Sequence, residues 1–202
     1  MRTRNFPFHP RCTLLLLSLL LSACATTPAL LDSEWAKHQQ QLATLSHWTM
    51  HGKIAIRHPD NNQSGYIEWQ QVENAYQIRL YGPLGQGNIL IEGKPGLTSL
   101  TTQDGRFSAS NPETLLLQQT GMNLPVSDLL YWVKGLPAPN AEISAQTLLQ
   151  GRLQQLTQNQ WSINFSDYQA IGKQILPGKI QLQRDQLTII VLAKNWTLDT
   201  LP

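Results

Sequence analysis

The sequence predicts a mainly β chain with a helical insert (α+β), a strongly curved antiparallel sheet or open barrel with helices folded over its mouth. Three observations predict it. Short strand-like segments follow one another from Trp48 to Ser110 and resume after Leu148. The breaks between most of them are a few residues of turn chemistry, whereas a parallel crossover needs about a dozen or more. Between the two strand-rich stretches, the text from Asn111 to Pro139 changes to helical start and stop signals.

Taken in order, Ser33 is placed to cap a helix from Glu34 to about Leu45. Trp35, His38, Leu42 and Leu45 recur at helical spacing on one stripe, with Lys37, Gln39, Gln40 and Gln41 opposite. Strands are expected at Trp48–Arg57, Gly65–Gln71, Tyr76–Tyr81, Asn88–Gly93, Leu97–Thr102 and Arg106–Ser110. In the third of these, Tyr76, Ile78 and Leu80 share one face, with Gln77, Arg79 and Tyr81 on the other. Asn111-Pro112-Glu113 reads as an N-cap, a proline at the first helical position and an acid in the first turn; Gly121 fits the stop. A second short helix begins at Pro125 or Ser127 and ends at Gly135. Strands then resume at Gly151–Leu156, Trp161–Phe165, Lys179–Arg184 and Leu187–Ala193, with turns at Gln158-Asn159 and Asp185-Gln186.

Ahead of this domain lie Arg2, Arg4 and Arg11, the apolar run Leu14 to Leu21, and then Ser22-Ala23-Cys24. A basic start, a short apolar stretch and small residues describe a secretory signal; a membrane-spanning helix needs about 20 apolar residues. Leu21-Ser-Ala-Cys24 resembles the bacterial lipobox, which implies residues 1–23 as a cleaved signal and Cys24 as the lipidated first residue. Residues 24–32 are then a tether and 33–202 a single domain. Ala25 stands where an Asp tends to retain lipoproteins at the inner membrane, so the expected address is the outer membrane, facing the periplasm.

Removing the signal changes the charge. The chain has 15 Lys+Arg and 13 Asp+Glu; losing three arginines leaves 12 against 13, a net of −1. Nothing in that balance points to nucleic acid. With Cys12 removed and Cys24 acylated, the domain has no thiol and relies on its core alone. Catalytic and metal motifs are not found, and no catalytic residue, metal or cofactor is expected beyond the lipid on Cys24. His47 and His51 are four apart but lack an evident third ligand, and read as surface histidines.

Two features carry the functional reading. Gly82-Pro-Leu-Gly-Gln-Gly87 looks superficially like a phosphate loop, yet it joins two strands and lacks the lysine and hydroxyl such a loop needs. Its oddity is Leu84, an apolar side chain between Pro83 and Gly85 where a polar tip is usual. Leu84 either packs back on the sheet or forms an exposed apolar finger that touches lipid. The second feature is the supply of large apolar groups on inward faces. Trp48, Ile54, Ile56, Trp69, Ile78, Leu80, Ile89, Ile91 and Trp132, with Trp161, either fill a solid core or line a cavity for apolar ligands.

The ordered set of motifs resembles the LolB family. It runs from Trp35 and His38-Gln-Gln40 through Trp69-Gln-Gln71 and Tyr81-Gly-Pro-Leu-Gly85. It is strongest at Thr120-Gly-Met-x-Leu-Pro-Val126 and Leu130-x-Trp132-Val-x-Gly135-Leu-Pro137, and ends at Leu187-Thr-Ile-Ile190 and Lys194-Asn-Trp196. The resemblance implies an incomplete antiparallel β-barrel with an α-helical lid over an apolar cavity. It also implies a receptor, expected as a monomer, that takes triacylated lipoprotein cargo from a periplasmic LolA-like carrier. The cargo would pass into the inner leaflet of the outer membrane without nucleotide, and Leu84 would correspond to the leucine of the family's protruding loop. The rival readings are a lipid-anchored assembly subunit with a filled core, a lipid-anchored enzyme, and a soluble carrier of the same fold.

Overall fold

The computed structural model describes residues 28–198, except residues 86, 122 and 140 and the side chains of residues 28–32 and 84. The signal, Cys24 and residues 199–202 lie outside the described residues.

Helix α1 (Pro28–Ala43) opens the domain, earlier than Ser33 predicts. A proline is well tolerated at a first helical position, so Pro28 starts the helix and Ser33 falls inside it. The predicted stripe holds: Trp35, His38 and Leu42 are buried, with Leu45 partly so; opposite, Lys37, Gln40 and Gln41 are exposed and Gln39 is half-buried.

Among the described residues, thirteen strands follow in two groups. The first group is β1 (His47–His58), β2 (Asn61–Val72), β3 (Ala75–Tyr81), β4 (Ile89–Lys94), β5 (Leu97–Thr102) and β6 (Gly105–Ala109). Helices α2 (Pro112–Thr120) and α3 (Val126–Trp132) come next. The second group is β7 (Ile143–Leu149), β8 (Arg152–Gln158), β9 (Trp161–Ser166), β10 (Gln169–Ile171), β11 (Gln174–Leu176), β12 (Lys179–Arg184) and β13 (Leu187–Leu198). Three strands, β7, β10 and β11, are additions to the sequence prediction.

Eleven strands make one antiparallel sheet in the order β6-β5-β4-β3-β2-β1-β13-β12-β9-β8-β7, and β10 and β11 pair separately. The two halves join through β1 and β13, the first and last strands, with a register shift between His51 and Gly52. The sheet is open: its edges are β6 and β7, and the chain crosses from one to the other through α2 and α3. The lid is therefore the connection that spans the gap.

Register fixes which side chains line the concave face. Ile54, Val191, Ile180 and Phe165 stand in one row across β1, β13, β12 and β9. Ile56, Ile189, Leu182, Ile163 and Leu156 form the next. All nine are buried. With side chains alternating between faces, rows of this kind need every strand in the same phase. At the other end of the sheet Trp48 packs against Trp69 and Trp196, with ring centroids 5.4 and 5.1 Å apart. These indoles close the base of the cup.

Helix α2 caps as its sequence predicts, whereas α3 ends at Trp132, short of the predicted Gly135. Asn111 Oδ1 accepts from the Thr114 N–H at 2.7 Å, and Gly121 adopts φ 71° while donating to Leu117 O. Glu113 Oε1 accepts from Ser127 N–H at 2.7 Å, tying the start of α3 to α2. Leu115, Leu116, Leu129, Trp132 and Val133 are buried under the lid.

Candidate functional site

The mouth of the cup is the Ile56 end. Here a hollow of about 470 Å³ is bounded by the β1–β2 hairpin (His58, Asn61, Gln63), the end of α2 (Thr120, Gly121), and the β12–β13 turn from Arg184 to Leu187. Ile56 forms part of its wall. A smaller hollow of about 80 Å³ adjoins it, lined by Ile54, Ile56, Leu80 and Ile89 together with Gln63 to Tyr66 of β2 and Tyr81, Gly82 and Gly87 at the β3–β4 connection.

This divides the sequence-chosen residues by depth. Ile54, Ile56, Leu80 and Ile89 meet at the smaller hollow near the rim. Ile78 and Ile91 are paired across β3 and β4 and buried one step deeper. Trp48 and Trp69 are fully buried in the base. Trp132 belongs to the lid: it is fully buried, its ring 6.5 Å from that of Trp161.

The connection from Gly82 to Gly87 is a hairpin loop between β3 and β4. A single 3-10 turn, Pro83–Gly85, forms inside it, with Gly85 N–H donating to Gly82 O at 3.1 Å. Gly85 and Gly87 take φ 75° and 64°, a region that suits glycine, and a side chain at either would meet no atom within 4 Å. Pro83, Gly85, Gly87 and Asn88 are all exposed, so the loop stands on the rim of the mouth. The side chain of Leu84 lies outside the described residues.

One residue that sequence reading assigns to a turn is central to the lid. Gln158 is fully buried and uses every polar atom of its amide. Its Oε1 accepts from Trp132 Nε1–H and Ala138 N–H, each at 2.9 Å. Its Nε2 donates to the Ala138 and Ala141 carbonyls, each at 2.8 Å. The turn sits one residue later, at Asn159 and Gln160, both with positive φ. Asn159 Nδ2 donates to Asp128 Oδ2 at 2.7 Å, a further link between hairpin and lid.

Two basic side chains are buried near the base. Lys134 Nζ donates to Leu45 O at 3.2 Å, and burial lowers its pKa. Burial, with the nearby Arg152 guanidinium second, lowers that of His38, whose Nε2 has no hydrogen-bond partner. Burial also raises the Tyr168 phenol, whose hydroxyl donates to Leu153 O at 2.6 Å. These groups are dispersed, and among the described residues no three His, Cys, Asp or Glu side chains converge as a metal site. No helix among the described residues is long and apolar enough to cross a membrane.

An open sheet curled round an apolar concave face, with a rim hollow and a helical lid, defines a class of cup-shaped, lidded β domains. Solved structures share this fold. A LolA superfamily protein from Nitrosomonas europaea aligns with a TM-score of 0.57 at 10% identity, covering 85% of this chain and 94% of that one. An outer-membrane lipoprotein-sorting protein domain from Vibrio parahaemolyticus aligns at 0.54 and 8% identity, over 84% and 94%. At these identities the likeness is one of fold. Sequence relatives carry it further. The model of the outer membrane lipoprotein LolB matches residues 46–196. The outer-membrane lipoprotein LolB of Pseudomonas paraeruginosa (strain DSM 24068 / PA7) is 40% identical over 185 residues, 88% of this chain and 90% of its own. That of Chromohalobacter salexigens is 36% identical over 189 residues, 91% and 88%. The chain belongs to the LolB family of outer-membrane lipoproteins. It is a non-enzymatic lipoprotein, anchored at the outer membrane and facing the periplasm.

Proposed function

We propose that the chain accepts acylated lipoproteins from a periplasmic carrier of LolA-like fold and inserts them into the inner leaflet of the outer membrane, without nucleotide. Its family membership supports a place in lipoprotein transfer. The observation that carries the reading is continuity: buried apolar rows run up the concave face to Ile56, which borders an open hollow at the mouth. The Pro83–Gly85 loop stands on the same rim.

Magnitudes favour transfer down an affinity gradient. Each buried methylene contributes about 0.8 kcal/mol, so roughly ten buried on one acyl chain contribute about 8 kcal/mol. Lifting the lid breaks its hydrogen bonds and exposes Leu115, Leu116, Leu129, Trp132 and Val133, and acyl chains that enter beneath it cover that apolar surface again. The present hollow, about 470 Å³, falls in the range of sites for small ligands. Three acyl chains exceed it, so loading requires α2 and α3 to swing off the sheet. Ile54, Ile56, Leu80 and Ile89 meet the chains first, Ile78 and Ile91 lie below, and Trp132 moves with the lid. Trp48, Trp69 and Trp196 remain a filled base, the part of the domain that an assembly subunit with a solid core would also have.

Lipid on Cys24 keeps the receptor at its destination, and Leu84 opens a path from the rim into the leaflet. Replacing Leu84 with Glu tests the exit: the variant should take cargo from the carrier and retain it. Normal delivery by Leu84→Glu would remove the loop from the mechanism.

A further inference from the structure

The convex face of the sheet has its own pattern. Register places Lys179, Leu192, Lys53, Tyr66 and Tyr81 in one row across β12, β13, β1, β2 and β3. The next row toward the rim carries Gln181, Ile190, Ala55 and Ser64. These residues alternate with the buried ones, so they point away from the lid. Tyr66 is 41% exposed, its ring stacks on that of Tyr81 at 5.4 Å, and Lys53 Nζ lies 5.8 Å from its centroid. A groove of about 290 Å³ runs between Lys53, Ala55, Tyr66, Ile190 and Leu192, and reaches Pro83 of the rim loop.

We infer that this convex face is a docking surface for an anionic phospholipid bilayer. The charge on it is one-sided. Among the described residues, Lys53, Lys179 and, one row beyond Ala55, Arg57 form no ion pair, and the nearby carboxylate Glu68 is matched by Arg79 at 4.0 Å. Aliphatic side chains between tyrosines and lysines suit the boundary between headgroups and acyl chains. Tyrosine keeps its hydroxyl wet there, and lysine lays its stem on apolar surface while its ammonium meets phosphate. The bilayer is also at hand, because the chain is an outer-membrane lipoprotein. Docked this way, the domain lies with its convex side on the membrane and the β3–β4 loop at the contact edge. The inference goes beyond cargo transfer and does not depend on it.

The test uses the purified full lipoprotein with a fluorophore on Ala55→Cys, and a control label on Gln118→Cys, exposed on α2. Each is reconstituted in phosphatidylethanolamine vesicles containing a minority of phosphatidylglycerol, and in pure phosphatidylcholine vesicles, both doped with a headgroup quencher. The label at 55 should be quenched in the anionic vesicles, weakly in the neutral ones, and the label at 118 in neither. Replacing both lysines (Lys53→Gln, Lys179→Gln) should lower the docked-to-free ratio roughly thirtyfold, from about 1 kcal/mol per lysine at an anionic surface. High salt should act the same way. Equal quenching at 55 and 118, or no effect of the lysine replacements, would overturn the inference. So would shielding of position 55 in detergent without vesicles, which would identify a second copy as the occupant. Quenching that survives Leu84→Glu separates this face from the loop.

Discussion

The Trp132 indole donates to Gln158 Oε1 at 2.9 Å, and through that bond the last residue of α3 is fixed to the mouth end of β8. The same amide holds the backbone of Ala138 and Ala141, so one side chain from the sheet anchors both the lid and the segment leaving it.

Replacing Gln158 with Leu should therefore be costly. It strands an indole N–H, an amide N–H and two carbonyls in a buried place, each worth about 1–3 kcal/mol if unmet, and relaxation recovers part of this. The expected loss is about 4 kcal/mol, or about 10 °C in Tm at roughly 2–4 °C per kcal/mol. Thermal unfolding followed by circular dichroism reads it. Trp132→Phe removes one donor and part of a buried ring but leaves Gln158 its other three hydrogen bonds, so it should cost less.

Gly52 sits at the register shift where β1 meets β13. A Cβ there would run into the Leu192 carbonyl oxygen, which is backbone and cannot rotate aside. Gly52→Ala should destabilise by about 1–3 kcal/mol, as overpacking does, with unfolding in urea as the measurement. By contrast, Gly96→Ala meets no neighbour and costs only its positive φ, 76°.

His38 links stability to pH. Its folded pKa lies below the ordinary 6.5, chiefly through burial. As pH falls from 6.5 toward that lower value, the unfolded chain takes up a proton that the folded one does not, and stability is lost. His38→Gln should flatten this part of the profile relative to the native chain. Parallel urea titrations between neutral and mildly acid pH compare the slopes, and identical slopes would mean that His38 is not the group responsible.

Ile56 borders both the mouth and the hollow beneath it. Ile56→Glu should fold, since the side chain can turn its carboxylate toward the mouth, yet it should accept cargo poorly. Leu84→Glu should show the opposite fault, normal acceptance and failed release. Counting cargo on the carrier, the receptor and the membrane distinguishes the two.

Legibility followed locality. The caps at Asn111 and Gly121 were readable because their partners, Thr114 and Leu117, lie within one helical turn. The α1 stripe and the β3 alternation were readable for the same reason. Strand β7 was not: it is an edge strand, largely exposed, with register shifts at Ile143/Ala145 and Thr147/Leu148 that erase alternation. The pairing of β1 with β13 joins opposite ends of the domain, and no local signal announces it. Gln158 was hidden because glutamine beside Asn159 resembles turn chemistry, and its role depends on a tryptophan brought in by another element. At the site, alternation separated inward from outward residues on the strands, but not depth. It placed Trp48 and Ile56 on one face without showing that one plugs the base and the other borders the mouth.

The most direct measurement is transfer itself. The purified lipoprotein is mixed with a carrier–lipoprotein complex in the absence of nucleotide, and the protein holding the cargo is followed over time. Movement of cargo from carrier to this chain, abolished by Ile56→Glu, is the predicted result. Cargo remaining on the carrier, together with no uptake of an apolar dye by the native chain, would contradict the account and identify a filled core with an assembly role.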